Sequence, residues 1–168
     1  MSAMASSGTA VVTLPTATEI LITREFAAPR VLVYRAWTTP ELIRRWWAGK
    51  RGMVTVADVD LRVGGTWRFV MVTPGGFEVA FHGEYREIVP NERIVTTEIY
   101  EAPGAEPLSA AAAPLNIVTF TEEDGRTTLT LLVQCPSEEL RDRIIDSGME
   151  AGMQEGMDLL EQVAISLE

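Results

Sequence analysis

His82 is the sole histidine and Cys135 the sole cysteine in the chain. Any Ser-His-Asp or Cys-His proton relay would therefore have to run through one imidazole. His82 lies between Phe81 and Gly83 in an alternating stretch, which reads as a sheet-face histidine with a local hydrogen bond. One His and one Cys leave only carboxylates to complete a metal site, and no metal-ligand spacing occurs, so neither metal nor cofactor is expected. A single cysteine also rules out an intrachain disulfide. Gly64-Gly65 and Gly75-Gly76 fall between strand-like segments, without the following helix that a phosphate loop needs. For acid–base chemistry inside a cavity the polar candidates are His82, Tyr85 and Arg62. No catalytic residue is assigned on this basis, and the reading leans away from an enzyme.

Other residue types point to apolar binding. A Gly-Met pair recurs every four residues as Gly148-Met149, Gly152-Met153 and Gly156-Met157. On one helix this makes a glycine stripe and a methionine stripe about 100° apart. Met149, Met153, Met157, Leu160, Ala164 and Leu167 continue one apolar face. Each interior glycine costs about 1 kcal/mol relative to alanine, so the stripe is expected to approach something flat, namely a sheet. Methionine is long and adaptable and suits either an irregular core or an apolar pocket. Glu150, Glu155 and Asp158 interrupt the stripe and exclude a membrane-pairing helix.

Aromatic rows face that helix in the sequence reading. Trp67, Phe69 and Met71 alternate on one strand; Phe77, Val79, Phe81 and Tyr85 alternate on the next, with Gly83 among them as the expected point of approach for the helix glycines. Trp46 and Trp47 sit beside a loop, where bulky rings rim an opening. The candidate ligand-binding cavity is therefore lined by Trp46, Trp47, Trp67, Phe69, Met71, Phe81, Tyr85, Met149, Met153 and Met157. Asp58, Asp60 and Arg62 share one strand face and Glu78, His82, Glu84 and Arg86 another; both read as solvated, ion-paired outer surface.

Composition limits the partners. With 14 Lys plus Arg against 24 Asp plus Glu the net charge is −10, which argues against nucleic acid or an anionic membrane surface. Hydrophobic residues make up 46% and charged residues 23%, the balance of a globular chain. The N-terminus has no basic region followed by an apolar run, and nothing approaches the roughly 20 apolar residues of a membrane span. A soluble, cytoplasmic protein is the expectation.

These residues must be positioned by a simple succession of elements. Residues 1–17 read as a flexible tail, with a short strand available at Val11–Leu14, and residues 18–168 as a single domain. Ile20–Phe26 alternates as a strand, with Thr23, Arg24 and Glu25 taken as its polar positions. A helix follows Pro29, and a second begins at Thr39-Pro40, with Thr39 as N-cap. Strands follow over Val54–Val63, Thr66–Thr73, Phe77–Ile88, Arg93–Glu101, Leu115–Thr121 and Thr127–Val133, and residues 102–114 form an irregular connection. Ser137 then caps the C-terminal helical segment. Short turns make the sheet antiparallel. The fold class is α+β, a curved antiparallel sheet of six to seven strands wrapped around a long C-terminal helix, with two short helices after the first strand.

Four stretches recur together in one known family: Trp46-Trp47 after the Pro40-led helix, the segment Asp60–Gly65, the segment Gly83–Arg93 with its Pro90-Asn91-Glu92 turn, and the Gly148-Gly152-Gly156 helix. In that order they resemble the activator-of-Hsp90-ATPase-homologue branch of the START-like (SRPBCC, Bet v 1-like) superfamily, over about residues 18 to 168. The resemblance implies the helix-grip fold and an internal, largely apolar cavity between sheet and long helix. It implies a small apolar, lipid- or polyketide-like ligand; the alternatives are a cyclase or dehydratase using the same cavity, or a module regulating an Hsp90-type ATPase in a stress-response setting. Partners expected are therefore a small apolar molecule, an Hsp90-type chaperone and a second copy of the chain. Members of this branch usually carry a Gly-Trp pair where this chain has Gly156-Met157, so a bulky cavity or core residue has become a flexible one.

Overall fold

The computed structural model describes residues 9–101 and 112–168. The expected tail before residue 9 and most of the expected 102–114 connection lie outside the described residues.

In chain order the elements are β1 (Val11–Thr13), β2 (Glu19–Phe26), α1 (Arg30–Thr38), α2 (Pro40–Trp46), β3 (Met53–Val59), β4 (Thr66–Val72), β5 (Glu78–Val89), β6 (Arg93–Thr97), β7 (Ile99–Glu101), β8 (Leu115–Glu123), β9 (Arg126–Gln134), α3 (Glu138–Asp146) and α4 (Met149–Ser166). One antiparallel sheet of nine strands runs β1-β2-β9-β8-β6-β5-β4-β3, with β7 paired to β5. The α+β helix-grip architecture is therefore present. The strand count exceeds six to seven for two reasons. Val11–Thr13 pairs with Leu21–Thr23 as an extra edge strand, and the expected Arg93–Glu101 strand is interrupted at Glu98 into β6 and β7.

Period-two alternation sets the inner face. Ile20, Ile22 and Phe26 of β2, Leu129 and Val133 of β9, Val118 and Phe120 of β8, Ile94 of β6, and Tyr85 and Trp67 of β5 and β4 are buried in one cluster with Met157, Leu160, Val163 and Ala164 of α4. Arg24 departs from the expected pattern. It lies on the apolar face of β2, 1% exposed, and donates from Nη1 to Asp158 at 2.7 Å and from Nη2 to Glu161 at 3.0 Å. Its guanidinium also sits 5.2 Å from the centre of the Phe26 ring. A buried cation of this kind requires partners, and both come from α4, so the pair ties helix to sheet. Beside it, next to the β1 edge, the Gln154 amide exchanges two hydrogen bonds with the Ala10 backbone, 3.0 and 2.8 Å.

The C-terminal segment is two helices rather than one. Gly148 has φ +84° and stands as the left-handed residue between α3 and α4, a conformation that costs other residues about 1–2 kcal/mol. Ser137 caps α3 as expected, its hydroxyl accepting from the Leu140 amide at 3.1 Å. Thr39 occupies the N-cap position of α2, but its side chain makes no capping bond.

The remaining glycines of the stripe do not approach the sheet. A Cβ at Gly156 would meet the Trp46 carbonyl oxygen at 3.4 Å, and one at Gly152 the Arg51 side chain at 3.4 Å. The flat partner is the C-terminal turn of α2, which crosses α4 backbone to backbone. Gly83 likewise does not meet the helix glycines; a Cβ there would run into the Thr97 carbonyl oxygen and the Trp67 indole nitrogen.

Candidate functional site

Register decides which rings meet inside the grip. β4 and β5 pair Trp67 with Gly83, Phe69 with Phe81, and Met71 with Val79, so their inward side chains form adjacent rows. Trp47, at the end of α2, closes over both rows with ring centres 5.4 Å from Phe69 and 5.3 Å from Phe81, edge to face in each case. Trp67 lies 4.9 Å from Phe69, and Phe81 5.0 Å from Tyr100.

The candidate lining residues divide by burial. Trp46, Trp67, Tyr85 and Met157 are buried among the core. Trp46 stacks on Trp37 at 5.1 Å and donates its Nε1–H to the Ala36 carbonyl at 2.9 Å, so it anchors α2 instead of rimming a loop. Met157 is 4% exposed and fills its space. Trp47, Phe69, Met71, Phe81, Met149 and Met153 are only half-buried, although all but Met71 also pack against the core. Trp47, Phe69 and Phe81, in mutual contact, thus retain accessible surface, as do Met149 and Met153 at the start of α4.

Polar groups lie at the inner end of the same face. The interruption at Glu98 brings the chain inward over Gly83: Thr97 offers its carbonyl oxygen there, and its hydroxyl accepts from the Glu84 amide at 3.0 Å. Only a residue without Cβ leaves room for this approach. Asn116 shares the inward face of β8 with Val118, being paired to Thr96 and Val133. Its Nδ2 donates to Glu98 Oε1 at 2.8 Å. Asn116 Oδ1 and Trp67 Nε1 are buried and have no hydrogen-bond partner. Desolvation pushes the Glu98 carboxyl up, and the Asn116 hydrogen bond pulls it part of the way back. Burial also raises Tyr85, with the charges of Tyr34 and Asp60 adding to the shift, so its hydroxyl stays protonated.

Of the three acid–base candidates from the sequence, only Tyr85 faces the interior. Arg62 is exposed and paired with Asp60 at 2.9 Å. His82 lies on the solvent side of β5, where Thr66, Arg68, His82 and Glu101, with Trp67 and Gly83, border a recess of about 290 Å³. Its Nδ1 is 2.5 Å from Glu101 Oε2. Arg68 approaches the same carboxylate at 3.9 Å and Arg86 pairs with Glu84 at 2.9 Å, as a solvated outer face would. Among the described residues no three His, Cys, Asp or Glu side chains are grouped to hold a metal ion. Cys135 is a buried free thiol whose burial raises it, with Arg141 opposing.

The family model described as activator of Hsp90 ATPase homolog 1-like protein matches residues 27–164, from the end of β2 through most of α4. The chain belongs to that family. Solved structures similar to this member of the family come from Rhodobacter sphaeroides (24% identity, 95% of this chain and 99% of that one, TM-score 0.83), Mycobacterium smegmatis (24%, 94% and 100%, 0.79) and Arthrobacter aurescens (22%, 93% and 91%, 0.82). These likenesses establish the fold. No curated protein matches the chain. No helix among the described residues is long and apolar enough to cross a membrane.

Sequence reasoning missed Glu98, Asn116 and Arg24 as polar groups of the inward face. The available signal is parity: Arg24 alternates with Ile22 and Phe26, and Asn116 with Val118 and Phe120.

Proposed function

We propose that this member of the activator of Hsp90 ATPase homolog 1-like family is a small-molecule binding protein, residues 18–168 acting as one START-like domain in the cytoplasm. Its ligand is small and largely apolar and lies between β4, β5 and the N-terminal half of α4. The carrying observation is the half-burial of Trp47, Phe69, Phe81, Met149 and Met153 on inward-facing positions. Each such side chain forgoes on the order of 1 kcal/mol of burial that a bound apolar group would restore. Trp46, Trp67, Tyr85 and Met157 support that surface from behind, and Met71 extends it toward β3.

Native mass spectrometry of the purified protein, with thermal shift across lipid and aromatic panels, tests the reading. A bound mass of a few hundred daltons or a raised melting temperature supports it; apo mass alone with no shift across the panels counts against it.

The family description favours a second reading, regulation of an Hsp90-type ATPase. Pull-down with the host Hsp90 homologue at low and high salt discriminates, because contacts made by a chain of charge −10 should fade on screening.

A further inference from the structure

We propose that the α1–α2 hairpin is a docking surface for a short acidic segment of another protein, an interaction independent of the ligand-binding reading above.

With 14 Lys and Arg set among 24 Asp and Glu, carboxylates outnumber cations, so a cation without an ion pair stands out. Among the described residues every Lys and Arg holds a carboxylate within 4.0 Å except Arg30, Arg35, Arg44, Arg45 and Lys50. All five lie on α1, on α2 or in the turn that follows, a stretch whose sole carboxylate is Glu41. Glu41 stands about one helical turn before Arg44 and Arg45 and pairs with neither. Two carboxylates from elsewhere reach the hairpin, and both are already engaged. Glu122 accepts from the Arg30 backbone amide at 2.8 Å, while Glu155 accepts from the Lys50 amide at 3.2 Å and pairs with Arg51 at 3.6 Å.

Helix packing turns this charge outward. Leu32, Val33 and Ala36 of α1 and Ile43 and Trp46 of α2 are buried in the core. Arg35, Arg44, Arg45 and Lys50 are exposed, and Val31 stands one turn from Arg35 at 45% exposure. Thr39 alone separates the two helices, which span about 14 and about 10 Å. An extended peptide of about ten residues covers about 33 Å and can reach the whole hairpin.

The chemistry of the cations and the charge of the remainder select the partner. Arginine predominates, and its planar fork takes the two oxygens of a carboxylate together. Exposed ion pairs contribute about 1 kcal/mol or less, so leaving these cations unpaired costs the fold little. At physiological ionic strength screening acts over about 8 Å, so a partner that stays on the hairpin meets its charge before that of distant carboxylates. A nucleic acid or an anionic membrane presents its charge over a broader surface and is repelled by the acidic rest of the molecule.

The test titrates the full-length protein, by fluorescence anisotropy, into a labelled peptide of about ten residues built from Asp, Glu and Ser. A Lys-Ser peptide of the same length, a single-stranded oligonucleotide and phosphatidylserine vesicles are the comparisons. The acidic peptide should bind at low salt and the Lys-Ser peptide should not. Arg35→Gln combined with Arg45→Gln should weaken the acidic peptide about ten-fold or more, a difference of about 1.4 kcal/mol or more. Arg143→Gln, which removes a paired cation of α3, should bind as the parent protein does. Circular dichroism checks the fold; if the double variant is disturbed, Arg45→Gln with Lys50→Gln replaces it. No binding of the acidic peptide, an equal loss in Arg143→Gln, or tighter binding of the oligonucleotide or the vesicles overturns the proposal.

Discussion

Asn116 donates to Glu98 across 2.8 Å while its own carbonyl oxygen stays buried and unpaired. This pairing puts a carboxyl and an amide side chain on the inner face of a sheet that is otherwise apolar there. Such groups lower stability unless something satisfies them.

Glu98 should make stability depend on pH. Burial holds its folded carboxyl above the ordinary carboxylate range, so the folded state holds the proton more tightly than the unfolded chain. The resulting stability is complete below the unfolded value and is lost as pH rises through the folded one. Glu98→Gln should therefore be more stable than the parent protein at pH about 8, with the advantage shrinking toward pH about 4. Urea unfolding at the two pH values checks this; an advantage that grows on acidification contradicts it.

Arg24 should be among the most sensitive surface-charge-like residues, because it is not on the surface. Arg24→Ala leaves Asp158 and the largely buried Glu161 without their cation and should cost about 3–5 kcal/mol. Exposed pairs such as Arg62 with Asp60 should cost about 1 kcal/mol or less when broken. Denaturant midpoints of Arg24→Ala and Arg62→Ala give the comparison; equal losses would contradict the assigned roles.

Two glycines should respond differently to alanine. At Gly148 a Cβ meets nothing within 4 Å, so only the positive φ is penalised and the loss should be about 1–2 kcal/mol. At Gly83 a Cβ collides with the Thr97 carbonyl, a backbone atom that cannot swing away, and Gly83→Ala should cost more and disturb the β5–β6 pairing. Thermal unfolding of both variants decides; Gly148→Ala as the more damaging change would contradict the structure.

The order of elements was readable because alternation and turn residues are local signals. Ile20, Ile22 and Phe26 announce a strand, and Ser137 a cap, within a few positions. The polar interior was not readable in the same way. Arg24 sits between Ile22 and Phe26 in inward phase, yet what allows a cation there lies 134 and 137 residues away on α4. Asn116 is paired with a carboxylate 18 residues distant on another strand, at a break that simple alternation through Arg93–Glu101 conceals. The Gly-Met repeat gave the right helix but the wrong neighbour: spacing shows that backbone can come close, and the crossing by Trp46 and Trp47 is a tertiary outcome. It also ran one glycine too far, since Gly148 ends a turn instead of beginning a stripe.

The central claim is that the half-buried apolar side chains hold a small molecule, and the most direct measurement is native mass spectrometry of the parent protein beside Phe81→Trp and Met153→Trp variants, which fill the slot from sheet and helix. The account predicts a bound mass of a few hundred daltons, retained by the parent protein or taken up from the lipid and aromatic panels, and reduced in both variants with the fold intact. Apo mass in every sample, with no uptake from any offered compound, would contradict it.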